Sequence, residues 1–170
     1  MTTYHPSTIR RHRKAWFAEL RSGNRQQVKG YLSCPVEDGD GEVGFCCLGV
    51  ATDMAKVPSI EYRYMEGLQY VKYGTDAEYL TLPHEARTWL GVTVGDPFLD
   101  FDPSSDEDWS FLQGVIDDQV YMDLREAIKH DGGDLTGALL NDKGATFEQI
   151  ADLIEHFGFS PTHDVLKGAA

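Results

Sequence analysis

Apolar residues recur at helical spacing at Ile9, Trp16, Phe17 and Leu20, which predicts a helix over residues 7–22. Ser7 can cap its start and Gly23 suits a left-handed stop, leaving Arg10, Arg11, Arg13 and Lys14 facing largely outward. Two short apolar runs, 28–32 and 43–45, flank the turn-rich stretch 37–42 and read as a β-hairpin. Residues 45–56 are small and apolar enough for a buried helix that Pro58 stops nearby. The aromatic-rich, alternating runs 60–65 and 69–73, separated by 66–68, predict a second hairpin. A small antiparallel sheet of two to four strands follows from these pieces.

The second half of the chain is patterned for helices. Pro83 suits the first position of a short helix that ends at Leu90 and is closed by Gly91. Residues 96–108 mix acids with Pro97, Phe98, Phe101 and Pro103 and read as a loop that orders on contact. Helical spacing returns at Trp109, Leu112, Val115 and Ile116, and again at Val120, Leu124, Ala127 and Ile128, until Gly132 and Gly133 interrupt it. The residues Asn141, Asp142, Lys143 and Gly144 read as a turn. Thr146 and Gln149 then form a capping box for a helix carrying Phe147, Ile150, Ala151, Ile154 and Phe157 on one face. The expected fold class is α+β: one domain over residues 1–160, two hairpins packed against several helices, and a loosely held tail at 161–170.

Charge changes this picture more than composition does. At 170 residues with 41% hydrophobic and 25% charged side chains, the chain is ordinary for one globular domain, but its net charge is −13. Residues 1–30 hold seven basic side chains against the single acid Glu19, whereas the remaining 140 residues hold eight basic and 27 acidic ones. Whole-surface binding to nucleic acid or an anionic membrane is therefore not expected, and the basic first helix is where a phosphate contact is expected if there is one. No signal peptide is visible and no apolar run approaches the ~18 residues of a membrane span, so a cytoplasmic location is expected.

Candidate chemistry is sparse. Of three cysteines, Cys46 and Cys47 are adjacent, which suits neither a disulfide with each other nor a zinc site. Acids in the 37–42 turn are spaced too closely for a helix-loop-helix calcium loop. No residue set asks for a cofactor or a metal. A cysteine at a helix N-terminus can be a nucleophile, as in papain-like hydrolases, so Cys46 or Cys47 with a histidine such as His84 is one candidate centre. His130, His156 and His163 are the other candidate bases, yet none lies in a strand pattern of the kind that arrangement uses. The simpler reading makes both cysteines small buried hydrophobes that, with Gly49, let a helix approach the sheet closely.

Leu20, Arg21, Ser22 and Gly23, with Gln27, Gly30 and Leu32, then the string Phe45-Cys46-Cys47-Leu48-Gly49-Val50, together carry a resemblance. Leu82-Pro83 ahead of Trp89-Leu90-Gly91 extends it, as do Leu140-Asn141-Asp142, Gly144 and the run from Thr146 to Glu155. The chain resembles a family of small uncharacterised proteins found in bacteriophages and actinobacterial genomes. The resemblance brings no activity. It implies a phage-derived accessory protein working inside an infected or lysogenic bacterial host.

Three functional classes follow. The first is an interaction protein that inhibits or redirects a host component, with Asp100, Asp102, Asp106, Glu107, Asp108, Arg10 and Arg11 as candidate partner-binding residues. The second is a binder of a small nucleotide ligand, with Arg21, Gln27, Cys47, Asp53, Asn141 and Asp142 around a pocket and Tyr62, Tyr64, Tyr70 and Tyr73 available for stacking. The third is the cysteine hydrolase. Residues 146–157 look like the first helix of a helix-turn-helix, but no basic recognition helix follows, so direct DNA reading is not expected. The host-binding class ranks first.

Overall fold

The first helix, α1 (Pro6–Arg21), buries Ile9, Trp16, Phe17 and Leu20 along one stripe and is capped by His5 rather than by Ser7. Pro6 needs no N–H partner at this position, and the Ser7 amide donates to His5 Nδ1 at 3.3 Å. In the computed structural model of the chain the described residues are 4–36, 42–63, 69–131 and 133–167.

Among the described residues the expected α+β architecture is present as two separate two-stranded antiparallel sheets with seven helices. Strand β1 (Ser33–Pro35) pairs with β2 (Val43–Phe45) in the register Ser33 with Phe45, and β3 (Ser59–Arg63) pairs with β4 (Gln69–Tyr73). The first strand lies later than the apolar run 28–32 suggests. The run begins with a single parallel bridge, Gln27 with Phe45, where the Val28 amide donates to Phe45 O; Gly30 then turns the backbone at φ +77° and the Leu32 amide donates to Tyr79 O, so the run crosses between elements without forming a ladder. Part of the first turn (37–41), the second turn (66–68), Tyr64, and the side chains of Tyr62, Tyr70 and His130 lie outside the described residues.

Helix α2 (Cys47–Met54) is buried along most of its length, with Gly49 seated against Leu32. A Cβ at Gly49 would lie 1.7 Å from Leu32 O, so no side chain fits there and the close approach requires glycine. Helix α3 (His84–Leu90) begins after Pro83 and ends on Gly91 at φ +67°. Helices α4 (Asp106–Val115) and α5 (Asp118–Asp131) form a hairpin through Ile116 and Asp117, and α6 (Gly137–Lys143) leads through Gly144 into α7 (Phe147–Phe157) with its capping box intact. Each helix contributes to one hydrophobic cluster whose fully buried members include Trp16, Leu48, Leu90, Leu112, Leu124, Leu140 and Ile150. Trp16 anchors α1 to α2 by donating its indole N–H to Cys47 O at 3.0 Å.

Two expectations are overturned at the chain's ends. Arg13 does not face outward: its Nε donates to Leu90 O at 2.8 Å, its Nη2 to Gly91 O at 3.1 Å, and its fork grips Asp164 at 2.8 and 2.7 Å. The segment expected to be a loose tail is therefore docked through residue 167, and the amides of Thr93 and Val165 exchange bonds with His163 O and Gly91 O. The loop at 96–108 packs onto the body of the protein. Leu99 is buried, Phe101 packs edge-on against Trp109 and Phe157, and residues 106–108 are already the first turn of α4.

Candidate functional site

The cysteine pair sits where β2 turns into α2. Cys46 is the N-cap and its sulfur accepts from the Gly49 amide at 3.3 Å, while Cys47 donates its thiol to Gly137 O at 3.2 Å. Both are buried. Burial pushes the Cys46 thiol up to about 12 against the lowering pull of the Gly49 and Leu48 amides, and it pushes Cys47 well above its ordinary range, reinforced by Cys46 and Asp96. Neither is a thiolate at neutral pH, so the helix N-terminus does not activate them. Among the described residues no histidine bonds to either sulfur. His84 is exposed on α3, with its backbone amide held by Asp76 at 3.0 Å. This geometry opposes nucleophilic catalysis and fits the small-hydrophobe reading of the pair.

The residues proposed for a ligand pocket divide among four places, one of them the Cys47 site at Gly137 O. Gln27, Asn141 and Asp142 do meet, and they clamp the crossing segment 27–30 to α6. Gln27 Nε2 donates to Asn141 Oδ1 at 3.0 Å and to Ala145 O at 2.7 Å, Asn141 Nδ2 donates to Val28 O at 2.8 Å, and Asp142 Oδ1 accepts from the Gly30 amide at 2.9 Å. Asn141 is fully buried, in the last turn of α6 rather than in a free turn. Arg21 points away from this clamp and ties α1 to α7 through Asp152, at 2.6 Å, and Glu155. Asp53 pairs with Arg25 at 2.8 Å, and Arg25 also bonds Glu19 at 2.8 Å. Each of these side chains is hydrogen-bonded or ion-paired within the protein and so acts as a structural tie.

The acidic residues behave differently. Asp100 pairs with Lys167 at 2.9 Å; Asp102 accepts from the Ser104 amide and hydroxyl at 2.8 and 2.7 Å; Asp108 accepts from the Asp102 amide at 2.8 Å. With Ser105 as N-cap, three acids in the first turn of α4 complement the positive end of that helix. The carboxylates of Asp106 and Glu107 remain exposed with no hydrogen bond or ion pair to a described residue, and the same holds for those of Asp117, Asp118 and Glu126. The α4–α5 hairpin thus presents unmatched carboxylates at both ends and along α5. Arg10 and Arg11 are exposed on α1.

Two features escaped sequence reasoning. One is Asp96, whose side chain bonds Thr136 and the Ala138 amide at the start of α6 while its Oδ1 is buried without a partner; burial raises its carboxyl against those two bonds. The other is a cleft of about 270 Å³ on the α4–α5 hairpin, lined by Trp109 and Tyr121 with Arg125 and Lys129 at its mouth. Only the helical phase of α5 hinted at the second, since Tyr121, Arg125 and Lys129 recur every four residues. No helix among the described residues is long and apolar enough to cross a membrane.

Residues 9–157 match a family described as a domain of unknown function, DUF8296. No curated protein and no solved structure matches the chain.

Proposed function

The chain belongs to the DUF8296 family, and from its surface we propose that it is a non-catalytic accessory protein of phage type that binds a basic face of a host protein and thereby inhibits or redirects it. The unmatched carboxylates of the α4–α5 hairpin carry this reading. Between Asp96 and Asp134 the sequence places twelve acidic and two basic side chains. Outside that stretch Glu19, Asp53, Asp76, Asp152, Glu155 and Asp164 each hold an arginine within the protein. Carboxylates kept close together without intramolecular cations raise the local potential, steer a basic partner and suppress wrong ones. The inert thiols support binding over catalysis.

The test is recovery of a stoichiometric partner from bacterial lysate by wild-type protein at low salt, compared with Asp106→Asn/Glu107→Gln/Asp117→Asn/Asp118→Asn. The reading requires loss of that partner in the variant and in 0.5 M salt, where screening shortens to roughly 4 Å. A partner retained under both conditions refutes it.

A further inference from the structure

The only two basic side chains in the acidic stretch from Asp96 to Asp134 are Arg125 and Lys129, and both lie at one cleft. They stand one turn apart on α5. The Arg125 guanidinium lies 6.0 Å from the Tyr121 ring centre and the Lys129 ammonium 5.8 Å from that of Trp109. Amid twelve acids, a free cation would ordinarily be drawn into an ion pair. Neither is: both are exposed and form no ion pair or hydrogen bond with a described residue, although Asp106 lines the same cleft.

The walls are built from rigid parts. Trp109 and Tyr121 are buried except at the cleft and meet edge to face at 5.9 Å, and the Trp109 indole N–H is fixed to Pro103 O at 2.9 Å. Ser110 donates to Asp106 O at 2.7 Å, which leaves its hydroxyl oxygen able to accept, and Gln113 adds an amide at the rim. Two cations, aromatic surface and a carboxylate acceptor thus converge on about 270 Å³.

We propose that this cleft binds a free nucleoside monophosphate. The guanidinium fork and the ammonium take the phosphate, one as a bidentate donor and the other as a point charge. The base packs on the exposed parts of Trp109 and Tyr121, an interaction that tolerates any base because each has a π-face. Asp106 accepts from ribose hydroxyls or a base amino group, which gives the lone acid in the cleft a role that a simple anion site would lack. The volume lies just below the roughly 300 Å³ at which small-molecule pockets begin, so it admits one nucleotide and not two. The site shares Asp106 with the proposed partner face but rests on Arg125 and Lys129, which that face does not use.

Titration of full-length, isotope-labelled protein with adenosine monophosphate, followed at the Trp109 indole N–H, tests it; the Trp109→Phe variant assigns the signal. The expected result is a saturable shift, with at least tenfold weaker binding for Arg125→Gln and for Lys129→Gln, both surface changes that keep the fold. Adenosine alone and inorganic phosphate alone should each bind at least tenfold more weakly than the monophosphate. No shift at millimolar ligand, unchanged affinity in both variants, or inorganic phosphate matching the nucleotide overturns the proposal. Tighter binding of a short oligonucleotide overturns it as well, because the occupant is then a nucleic-acid strand.

Discussion

Arg13 and Asp164, 151 residues apart in sequence, form a two-pronged ion pair with N–O distances of 2.8 and 2.7 Å, at side-chain exposures of only 12% and 4%. The same guanidinium caps the end of α3 through Leu90 O and Gly91 O. One side chain therefore ties the first helix, the third helix and the C-terminal segment together.

Breaking that pair from either side strands a buried charge. Asp164→Asn or Arg13→Ala is expected to cost about 3 kcal/mol, a fall of roughly 10 °C in thermal midpoint for a domain of this size. Burial alone would raise the Asp164 carboxyl, but Arg13 and the Leu166 amide outweigh it and hold the group below its usual range. A depressed folded-state value means its stabilisation is full above about pH 4 and fades as pH falls further. Thermal melts from pH 6 to pH 2 should show wild type losing this increment on acidification and Asp164→Asn having none to lose.

Thiol titration separates an inert pair from a reactive one. With both cysteines buried and protonated, Cys46 and Cys47 should stay unmodified by a mild aromatic disulfide at pH 7.5 until denaturant unfolds the chain. At most one equivalent, from the half-buried Cys34, should react before unfolding. Fast labelling of a second thiol in native buffer contradicts the structural role assigned to the pair.

Asn141 and Asp142 are neighbours with unequal expected effects. Asn141→Ala removes a fully buried side chain and leaves the half-buried Val28 O without its donor, and should cost about 2 kcal/mol, whereas Asp142→Ala loses one bond at an exposed position and should cost under about 1 kcal/mol. Urea unfolding of both variants checks the difference; equal losses, or normal stability in Asn141→Ala, would show that the clamp does not hold the crossing segment.

Asp96 carries the opposite sign to Asp164. Its carboxyl is raised by burial, against bonds from Thr136 and the Ala138 amide, so it favours the folded state below the unfolded value near pH 4 and loses that contribution as pH rises through the folded value. Replacement by Asn removes the titration, so stability should rise less steeply with acidification above pH 4 in the variant than in wild type. Parallel curves refute the assignment.

The sequence showed what is local and hid what is distant. The capping box at Thr146 and the stripe Ile9, Trp16, Phe17, Leu20 are written within a few turns, and both helices formed where expected. The first strand was misplaced because Gly30 turns the chain just before it, and apolar Leu32 is buried in the crossing segment instead of in a ladder. Docking of residues 161–167 depends on Arg13, whose basic neighbours mask its inward orientation. Of the residues named for the candidate site, Gln27 and Asn141 meet, whereas acids on α7 hold Arg21 and Arg25 on the chain after α1 holds Asp53. The cleft at Trp109 needed the α4–α5 hairpin to exist before its four principal residues could meet.

Once the basic partner is recovered, the salt dependence of its affinity tests the proposed acidic interface most directly. Wild-type protein is expected to show a steep decline in log affinity with log salt. A clearly shallower decline, with weaker binding at low salt, is expected for Asp106→Asn/Glu107→Gln/Asp117→Asn/Asp118→Asn. Identical slopes for the two proteins would contradict the acidic interface.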